Sequence, residues 1–215
     1  MGEKGSAFGR RGGRLSLTTE FDVRPLTRSD RSRVAEILRS TESFREDEIE
    51  VALELFDESF ADPDYTFVGA FRTSSGVSTV DWAEKARLAE HTGAGGPHSP
   101  VPLSELLGFA CYGPCMSTDR TFDLYWIAVD RRTQGTGCGS ALLREVERRL
   151  EALHARMLVI ETSSRSDYAA TRGFYLDRGY VEAARVREFY APSDDRIILT
   201  KRFVGSPREG WGAVA

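Results

Sequence analysis

The sequence contains no long apolar run, since no stretch approaches the ~20 residues that a helix needs to span a bilayer. Its first residues, MGEKGSAFGRRGGRLS, carry charges but lack the apolar segment of a secretory signal. An excess of basic residues is also missing, because 29 lysines and arginines face 33 acidic residues. The resulting net charge of -4 disfavours sequence-independent binding to nucleic acid, which requires a basic surface. These absences predict a cytoplasmic protein that binds neither membranes nor nucleic acid.

Cysteine and histidine are scarce, with three of each among 215 residues. Cys111, Cys115 and Cys138 are odd in number and lack the spacing of a disulfide framework. They therefore indicate reduced thiols, which agrees with a cytoplasmic location. His91 and His98 lie in a glycine-rich stretch without further candidate ligands, so the sequence predicts no metal site.

Regular hydrophobic patterns occupy residues 20–203, between polar or glycine-rich tails at 1–19 and 204–215. In chain order they predict a strand, two helices, a run of strands, a helix, a strand, a helix and two final strands. That order is typical of one α/β domain with a mixed sheet. Residues 73–103 interrupt the pattern with serine, glycine, proline and histidine, and we interpret them as an insertion that acts as a lid, a partner site or a passive loop.

One glycine-rich segment, Gln134–Ser140, joins a strand that ends at Val129 to a helix that begins near Gly137. Glycines allow a tight turn and a close approach to a ligand, and the free amides at a helix N-terminus favour an anion. The segment therefore predicts a pyrophosphate site. A Walker-type loop is disfavoured because the segment has no lysine, and a dinucleotide-binding fingerprint is disfavoured because the glycine spacing is GxGxG.

The pattern Gln134-x-x-Gly137-x-Gly139 resembles the Q/R-x-x-G-x-G/A signature with which GNAT acetyltransferases bind the CoA pyrophosphate. A second segment, FYLDRGY at 174–180, resembles the family's FYxxxGF motif and follows at the expected distance. The stretches DLYWIAV, ETSS and FYAPSDD are similar to a subgroup of bacterial and archaeal GNAT proteins.

This resemblance covers residues 20–203 in element order and is specific over 108–203. It implies a single domain of the α/β (α+β) class, whose central sheet is mixed, mostly antiparallel, twisted and flanked by helices. The sequence departs from the family at Tyr168 and Thr171, where many members carry asparagine and alanine ahead of the Phe-Tyr pair.

The resemblance also implies acetyl-CoA as co-substrate and assigns backbone groups to it. Ile127, Ala128 and Val129 would pair with the pantetheine amides as if adding a strand, beside the point where a GNAT sheet splays open. The pyrophosphate would bind the amides of Gln134, Gly135, Thr136, Gly137, Cys138, Gly139 and Ser140.

The implied reaction is direct attack of a neutral amine on the thioester. Tyr175 matches the tyrosine that protonates the leaving thiolate in many family members. An alkyl amine with a pKa near ~10 must lose a proton, for which Asp123 is the first candidate base and Glu161 the second. Candidates for lining the acceptor pocket are Tyr112, Tyr125 and Tyr190.

The sequence thus predicts an N-acetyltransferase that moves an acetyl group to a primary amine of a small molecule or a protein. The alternative, from another functional class, is an acyl-CoA-binding sensor without turnover. Retained binding with loss of activity would favour the sensor. The expected partner is the amine acceptor, and a homodimer is compatible with this fold class.

Overall fold

The computed structural model describes residues 21–62, 64–72 and 105–203. The predicted tails and the predicted insertion lie outside these residues. The described strands form one seven-stranded sheet in the order β1-β2-β3-β4-β5-β7-β6. They are β1 Phe21–Pro25, β2 Thr66–Arg72, β3 Leu106–Pro114, β4 Thr121–Val129, β5 Met157–Ser163, β6 Val181–Ala191 and β7 Asp194–Arg202. Every neighbouring pair is antiparallel except β4 and β5, so the predicted mixed, mostly antiparallel sheet is confirmed.

Among the described residues, four helices flank this sheet, and two of them cover each face. The helices are α1 Arg31–Ser40, α2 Glu46–Glu58, α3 Cys138–Ala152 and α4 Ala169–Leu176. One core cluster joins one face of the sheet to α1 and α2, and a second cluster joins the other face to α3 and to Tyr175 of α4. The predicted element order is therefore confirmed in the described residues.

Strand β3 lies at the centre of the sheet, and its residues are buried on both faces as far as Gly113. Its side chains alternate between the two clusters, because successive residues of a strand point to opposite faces. Phe109 and Cys111 pack in the α1–α2 cluster, whereas Ala110 and Tyr112 pack in the α3 cluster.

Helix α2 forms where Ile49, Leu53 and Phe56 recur at helical spacing and are buried together against α1 and the sheet. Phe60 continues this spacing in the sequence but lies beyond the helix end at Glu58. The Phe60 ring nevertheless packs on Phe56 with centroids 5.2 Å apart. The apolar spacing in the sequence therefore continues beyond the end of the helix.

The parallel pairing of β4 with β5 covers four residue pairs, from Thr121 with Met157 to Leu124 with Ile160. Beyond Leu124 the two strands diverge. Strand β4 also contains a bulge, because Cys111 pairs with Trp126 while Tyr112 pairs with Leu124, which leaves Tyr125 as the extra residue. The sheet thus opens into a cleft beside the last residues of β4.

Strand β6, one of the two final strands that the sequence predicts, spans 11 residues, Val181–Ala191. It is the edge strand of the sheet and is exposed along its whole length. Within the described residues, no helix combines the length and the apolar character needed to cross a membrane.

Candidate active site

The opening between β4 and β5 is a cleft with a volume of about 510 Å³. Its walls come from the end of β4, the glycine-rich segment, the loop between α1 and α2, and helix α4. The predicted pyrophosphate segment and the Phe174-Tyr175 pair, about forty residues apart in sequence, meet here across one space. The residues of these two motifs and of the adjoining strand that line the cleft include Val129, Gln134, Gly137, Ser140, Phe174 and Tyr175.

The backbone of β4 beside the cleft alternates in direction. The Ala128 carbonyl faces β3, because it would lie 2.8 Å from a Cβ atom placed on Gly108. The Val129 carbonyl accepts a hydrogen bond from the Gln134 side chain at 3.4 Å, on the side away from β3. Since backbone groups alternate along a strand, Ile127 and Val129 direct their amide and carbonyl groups towards the cleft. Ala128, which the sequence grouped with them, directs its own towards β3.

Two glycines shape the loop that enters α3. Gly135 and Gly137 have φ angles of 75° and 98°, in the left-handed region that side chains rarely tolerate. Gly137 is the N-cap residue of α3, so the amides of Cys138, Gly139 and Ser140 form its first turn. Amides of a first helical turn have no partner within the helix, and the helix dipole makes them attractive to an anion.

The Cys138 side chain contributes nothing to this anion site. The side chain is 1% exposed and packs in the α3 core cluster. Burial, with a smaller contribution from the charge of Asp130, raises the pKa of the thiol to about 12. A thiol that stays protonated is a poor nucleophile, so Cys138 is restricted to its backbone amide, as the sequence suggested.

A buried ionic cluster fixes the strand-to-loop junction. Asp130 follows β4, is 2% exposed and contacts the guanidinium groups of both Arg33 and Arg132. Its carboxylate also accepts from the Arg132 amide at 2.9 Å, and Arg33 reaches Glu105 at 2.8 Å. Burial alone would raise the pKa of Asp130, but the hydrogen bonds from Arg132 and Arg33 hold it below its ordinary value. The cluster therefore attaches the glycine-rich segment Gln134–Ser140, called the phosphate loop below, to α1 and β3.

Tyr175 projects from α4 into the α3 core and is 3% exposed, yet it lines the cleft. Its ring packs edge-on against Phe174 and Tyr180, with centroids 5.1 and 5.6 Å away. Burial raises the pKa of its hydroxyl, which therefore stays protonated at neutral pH. Within the described residues this hydroxyl has no hydrogen-bond partner, so it is available to donate a proton to a group in the cleft.

Two residues near the cleft, Arg178 and Tyr168, make contacts that the sequence did not indicate. Arg178 donates to the Ser140 hydroxyl and to the Phe174 carbonyl, both at 2.6 Å, and its guanidinium lies 3.8 Å from the centre of the Phe174 ring. Tyr168, at a position where the family often has asparagine, donates from its hydroxyl to the Ser43 carbonyl at 3.2 Å. Arg178 thus joins the two walls formed by α3 and α4, and Tyr168 joins α4 to the α1–α2 loop. No sequence motif marked either contact.

Asp123 lies on β4, on the side of the sheet that faces the α1–α2 layer, together with Tyr125. Burial raises the pKa of its carboxyl, although a hydrogen bond from the Cys115 thiol and the charge of Arg196 both act to lower it. A carboxylate with a raised pKa that is half-buried is suited to accept a proton near neutral pH.

Glu161, the second candidate base, lies on β5 and forms a close ion pair with Arg196 of β7. The Arg196 guanidinium also lies 4.9 Å from the centre of the Phe189 ring. The Glu161 carboxylate is therefore already engaged by a cationic partner. The two carboxylates thus differ in their partners. Glu161 forms an ion pair, whereas Asp123 accepts a hydrogen bond only from the Cys115 thiol within the described part of the chain.

The three tyrosines predicted to line the acceptor pocket have different positions. Tyr125 is 38% exposed, and the centroid of its ring lies 5.6 Å from that of Tyr65. Burial, with a smaller contribution from the charge of Asp123, raises the pKa of the Tyr125 hydroxyl to about 12. Tyr190 is about half exposed and contacts Phe189 edge-on. Tyr112 departs from the prediction because it is buried in the α3 cluster, near Arg149 and away from the cleft.

The turn between β6 and β7 is firmly attached to the end of β5. The Ser163 hydroxyl donates to Asp194 at 2.5 Å, and the Asp195 amide donates to the Ser164 hydroxyl at 2.8 Å. Asp195 additionally pairs with Arg185 at 3.0 Å. The two aspartates of this turn are therefore engaged in the fold, whereas the Tyr190 side chain is about half exposed, like others of this hairpin.

Comparison with known proteins gives the family. Residues 99–182 match the acetyltransferase (GNAT) domain. A crystal structure from Desulfovibrio desulfuricans, assigned to the GNAT acetyltransferases, is 32% identical, with a TM-score of 0.67 over 85% of this chain and 99% of the other. No curated protein matches the sequence.

More distant structures show the same fold. The ribosomal-protein-S18-alanine N-acetyltransferase of Escherichia coli is 19% identical, with a TM-score of 0.59 over 90% of this chain and 100% of its own. An aminoglycoside 6'-N-acetyltransferase in complex with coenzyme A is 14% identical, with a TM-score of 0.59 over 86% of this chain and 99% of its own. The Desulfovibrio relative, which spans almost the whole described domain at 32% identity, carries the assignment. This chain belongs to the GNAT family and is an enzyme of the acyltransferase class.

Proposed function

We propose that this protein transfers the acetyl group of acetyl-CoA to a primary amine. The observation that carries the proposal is the cleft, in which three features meet: the α3 N-terminal amides, the cleft-facing backbone of β4 and the free Tyr175 hydroxyl. Each suits a different part of one thioester substrate, namely an anionic pyrophosphate, a chain of amides and a leaving sulfur.

In this proposal, binding depends mainly on backbone groups. The amides of Gly135, Gly137, Cys138, Gly139 and Ser140 would hold the pyrophosphate, with the left-handed glycines allowing it to approach closely. The amides of Gln134 and Thr136, which the sequence included, already donate to the carbonyls of Arg131 and Thr133, both at 3.4 Å. Ile127 and Val129 would pair with the pantetheine amides as a partner strand does. Asp130 maintains this geometry through its contacts with Arg33 and Arg132, without touching the substrate.

The bound thioester supplies the acyl group, and this chain's side chains would manage the protons. Asp123 would take the proton that the amine must lose, directly or through a water molecule. Tyr175 would donate its proton to the sulfur of the departing CoA, since burial keeps the hydroxyl protonated until it is needed. Asp123 is preferred to Glu161 as the base because Arg196 already occupies the carboxylate of Glu161.

The acceptor would enter from the α1–α2 side of the sheet, where Asp123, Tyr125 and Tyr190 are found. Aromatic faces and a carboxylate are both attractive to an amine that arrives as a cation. Related folds act on a ribosomal-protein alanine and on an aminoglycoside, as their names state. Both a protein amine and a small-molecule amine are therefore included in the proposed substrate class.

The first experiment is thermal unfolding of the full chain with increasing acetyl-CoA, with ATP and NAD as controls. A ligand that binds only the folded state raises the unfolding midpoint, and the rise grows with the ligand concentration relative to its Kd. We expect a concentration-dependent rise with acetyl-CoA alone. No rise at millimolar concentration would exclude the proposed co-substrate.

A second experiment separates catalysis from sensing. Release of free CoA thiol is followed with a panel of primary amines, which includes diamines, aminoglycosides and short peptides with a free N-terminus. Acceptor-dependent thiol release supports the enzyme. Tight binding of acetyl-CoA without turnover by any acceptor would instead favour the sensor, the alternative that the sequence left open.

A further inference from the structure

Three aromatic side chains form a continuous surface on the α1–α2 side of the sheet. The centroid of the Tyr125 ring lies 5.6 Å from that of Tyr65 and 6.3 Å from that of Trp126. Rings at these separations contact one another, so a flat ligand would bind on their outer surface and not between them. Tyr125 is 38% exposed, and the other two rings are partly exposed. We call these three residues the aromatic platform.

Two backbone features hold the Tyr125 ring in this position. Tyr125 is the extra residue of the β4 bulge, and a bulge redirects the side chain that it carries. Gly113 of β3 leaves room for the ring. A Cβ atom placed on Gly113 would lie 3.2 Å from the Tyr125 ring and would collide with the Asp64 carbonyl oxygen. The same glycine therefore lets the chain that carries Tyr65 approach β3.

The platform lies between the proposed base and the cleft. Tyr125 precedes Ile127, which lines the cleft, by two residues, a separation of about 7 Å along a strand. Asp123 lies two residues before Tyr125, and its charge acts on the Tyr125 hydroxyl. An acceptor located between the carboxylate and the cleft would therefore lie against the platform.

The charges near the platform suit an acceptor with a single positive group. Asp123 has no cationic hydrogen-bond partner among the described residues, whereas Glu161 is paired with Arg196. Arg196 is close enough for its charge to act on Asp123 as well. A second cation on the acceptor would face Arg196, and a carboxylate on the acceptor would face Asp123. Asp64 is exposed, and water and salt screen its charge. This balance favours a monoamine over a polyamine or an amino acid.

We propose that the acceptor is an arylalkylamine, a primary monoamine whose aromatic ring lies on the platform while its nitrogen lies between Asp123 and the cleft. Contact between aromatic rings adds affinity beyond the area that it buries, which a saturated ring does not gain. The nitrogen forms a bond to the acetyl carbonyl carbon as the C–S bond breaks; Asp123 receives the amine proton, and Tyr175 protonates the sulfur. The inference rests on the proposed function and narrows its acceptor class.

The test compares 2-phenylethylamine with 2-cyclohexylethylamine, which has the same reach and a saturated ring. Each amine is titrated calorimetrically into the full chain saturated with CoA, which needs no turnover, and kcat/KM is then measured by thiol release. We expect the phenyl compound to be favoured about two- to tenfold in both measurements, the range for contacts between aromatic rings. 1,4-Diaminobutane and phenylalanine should both be poorer acceptors than 2-phenylethylamine.

Tyr125→Leu retains an apolar side chain but removes the ring, so it should bring the ratio of the two amines towards one. Tyr65→Leu should lower the ratio partly. Phe189→Leu is the matched control, because Phe189 is a ring of comparable exposure, 51%, that lies on β6 outside the platform. Its ratio should equal that of the wild type.

Equal affinity of the wild-type protein for the two amines would overturn the inference, as would a preference that Phe189→Leu removes and Tyr125→Leu keeps. Acetylation of alkyl amines without any preference for the aromatic ring would also overturn it, while leaving the proposed function intact. A preference in binding without thiol release with any amine would instead overturn the proposed function. If Tyr125→Leu does not fold, the wild-type ratio and Tyr65→Leu still decide.

Discussion

Tyr175 and Tyr180 belong to one aromatic cluster, with ring centroids 5.6 Å apart, but their hydroxyls have different environments. The Tyr180 hydroxyl donates to Glu147 at 2.9 Å, in the network that also contains Lys201. The Tyr175 hydroxyl faces the cleft and has no partner among the described residues. Because the two tyrosines are similarly buried, comparing substitutions at both positions distinguishes an effect on catalysis from an effect on packing.

Tyr175→Phe should reduce kcat by about 10²-fold, the lower range for loss of a general acid, with little change in the binding of acetyl-CoA. The matched Tyr180→Phe should leave kcat near the wild-type value and lower the free energy of unfolding by about 1 kcal/mol, because it removes a hydrogen bond. Thiol-release kinetics and urea denaturation measure the two effects. Equal losses of kcat in both variants would show that Tyr175 acts only through packing.

Asp123→Asn should lower kcat/KM by about 10²-fold, because an amide cannot take a proton from the acceptor. Burial raises the pKa of Asp123, so in the wild type the active, unprotonated form is lost as the pH falls through that raised value. The acid limb of the kcat/KM profile should therefore contain one ionisation more in the wild type than in Asp123→Asn.

Glu161→Gln is the comparison for Asp123, since Glu161 is the rival base. We expect a smaller loss of kcat/KM and an acid limb unchanged from the wild type, because Arg196 already occupies this carboxylate. The reverse result, with the ionisation lost in Glu161→Gln and kept in Asp123→Asn, would reassign the base to β5.

At the scale of elements, the junction of β4 and α3 depends on Asp130. This residue connects the phosphate loop to α1 through Arg33 and is almost fully buried. Removing one partner of a buried ion pair leaves uncompensated charge in a region of low polarity. Loss of Asp130 should therefore lower the free energy of unfolding more than loss of an exposed ion pair does. Arg31–Asp57 is such a pair, because its side chains are about half exposed.

Asp130→Ala should lower the free energy of unfolding by about 3 kcal/mol at pH 7. Asp57→Ala should lower it by less than about 1 kcal/mol, since solvent screens a surface pair. Because the folded-state pKa of Asp130 lies below its unfolded value, its contribution is present above roughly pH 4 and is lost as the pH falls further. Urea denaturation from pH 3 to 7 follows both variants, and a constant difference across that range would contradict the assignment.

At the scale of the whole molecule, the two parts of the sheet are joined by the four residue pairs of β4 and β5. The cleft lies directly beyond this short parallel pairing and is lined on one side by β4 and on the other by α4. A ligand that fills the cleft would therefore connect the two parts of the sheet.

Hydrogen exchange should detect this connection. With saturating acetyl-CoA, we expect slower amide exchange both in residues 125–141 and in residues 169–176, while β1 and β2 remain unchanged. Amide exchange slows where local opening becomes less frequent. ATP serves as the control ligand and should protect neither segment. Protection limited to the β4 side would show that α4 does not contribute to the site.

The sequence determined the features that depend on local pattern. The order of helices and strands follows from hydrophobic periodicity, and the phosphate loop follows from glycines that adopt left-handed backbone angles at 135 and 137. Tyr175 was identified because its motif follows the loop at a fixed distance. The cytoplasmic location and the homodimer stay predictions.

Only the tertiary structure decided which side chains meet. Alternation along β3 places Tyr112 and Cys111 on opposite faces of the sheet, and packing against α3 placed Tyr112 in the core. The contacts of Arg178 with Ser140, and of Arg196 with Glu161, join residues far apart in the chain. No local pattern encodes such pairs, because they form only when distant elements pack and bury their charges together. The sequence therefore located the glycine-rich loop and Tyr175, whereas packing determined the partners of Asp123 and Glu161 and the contacts of the arginines around them.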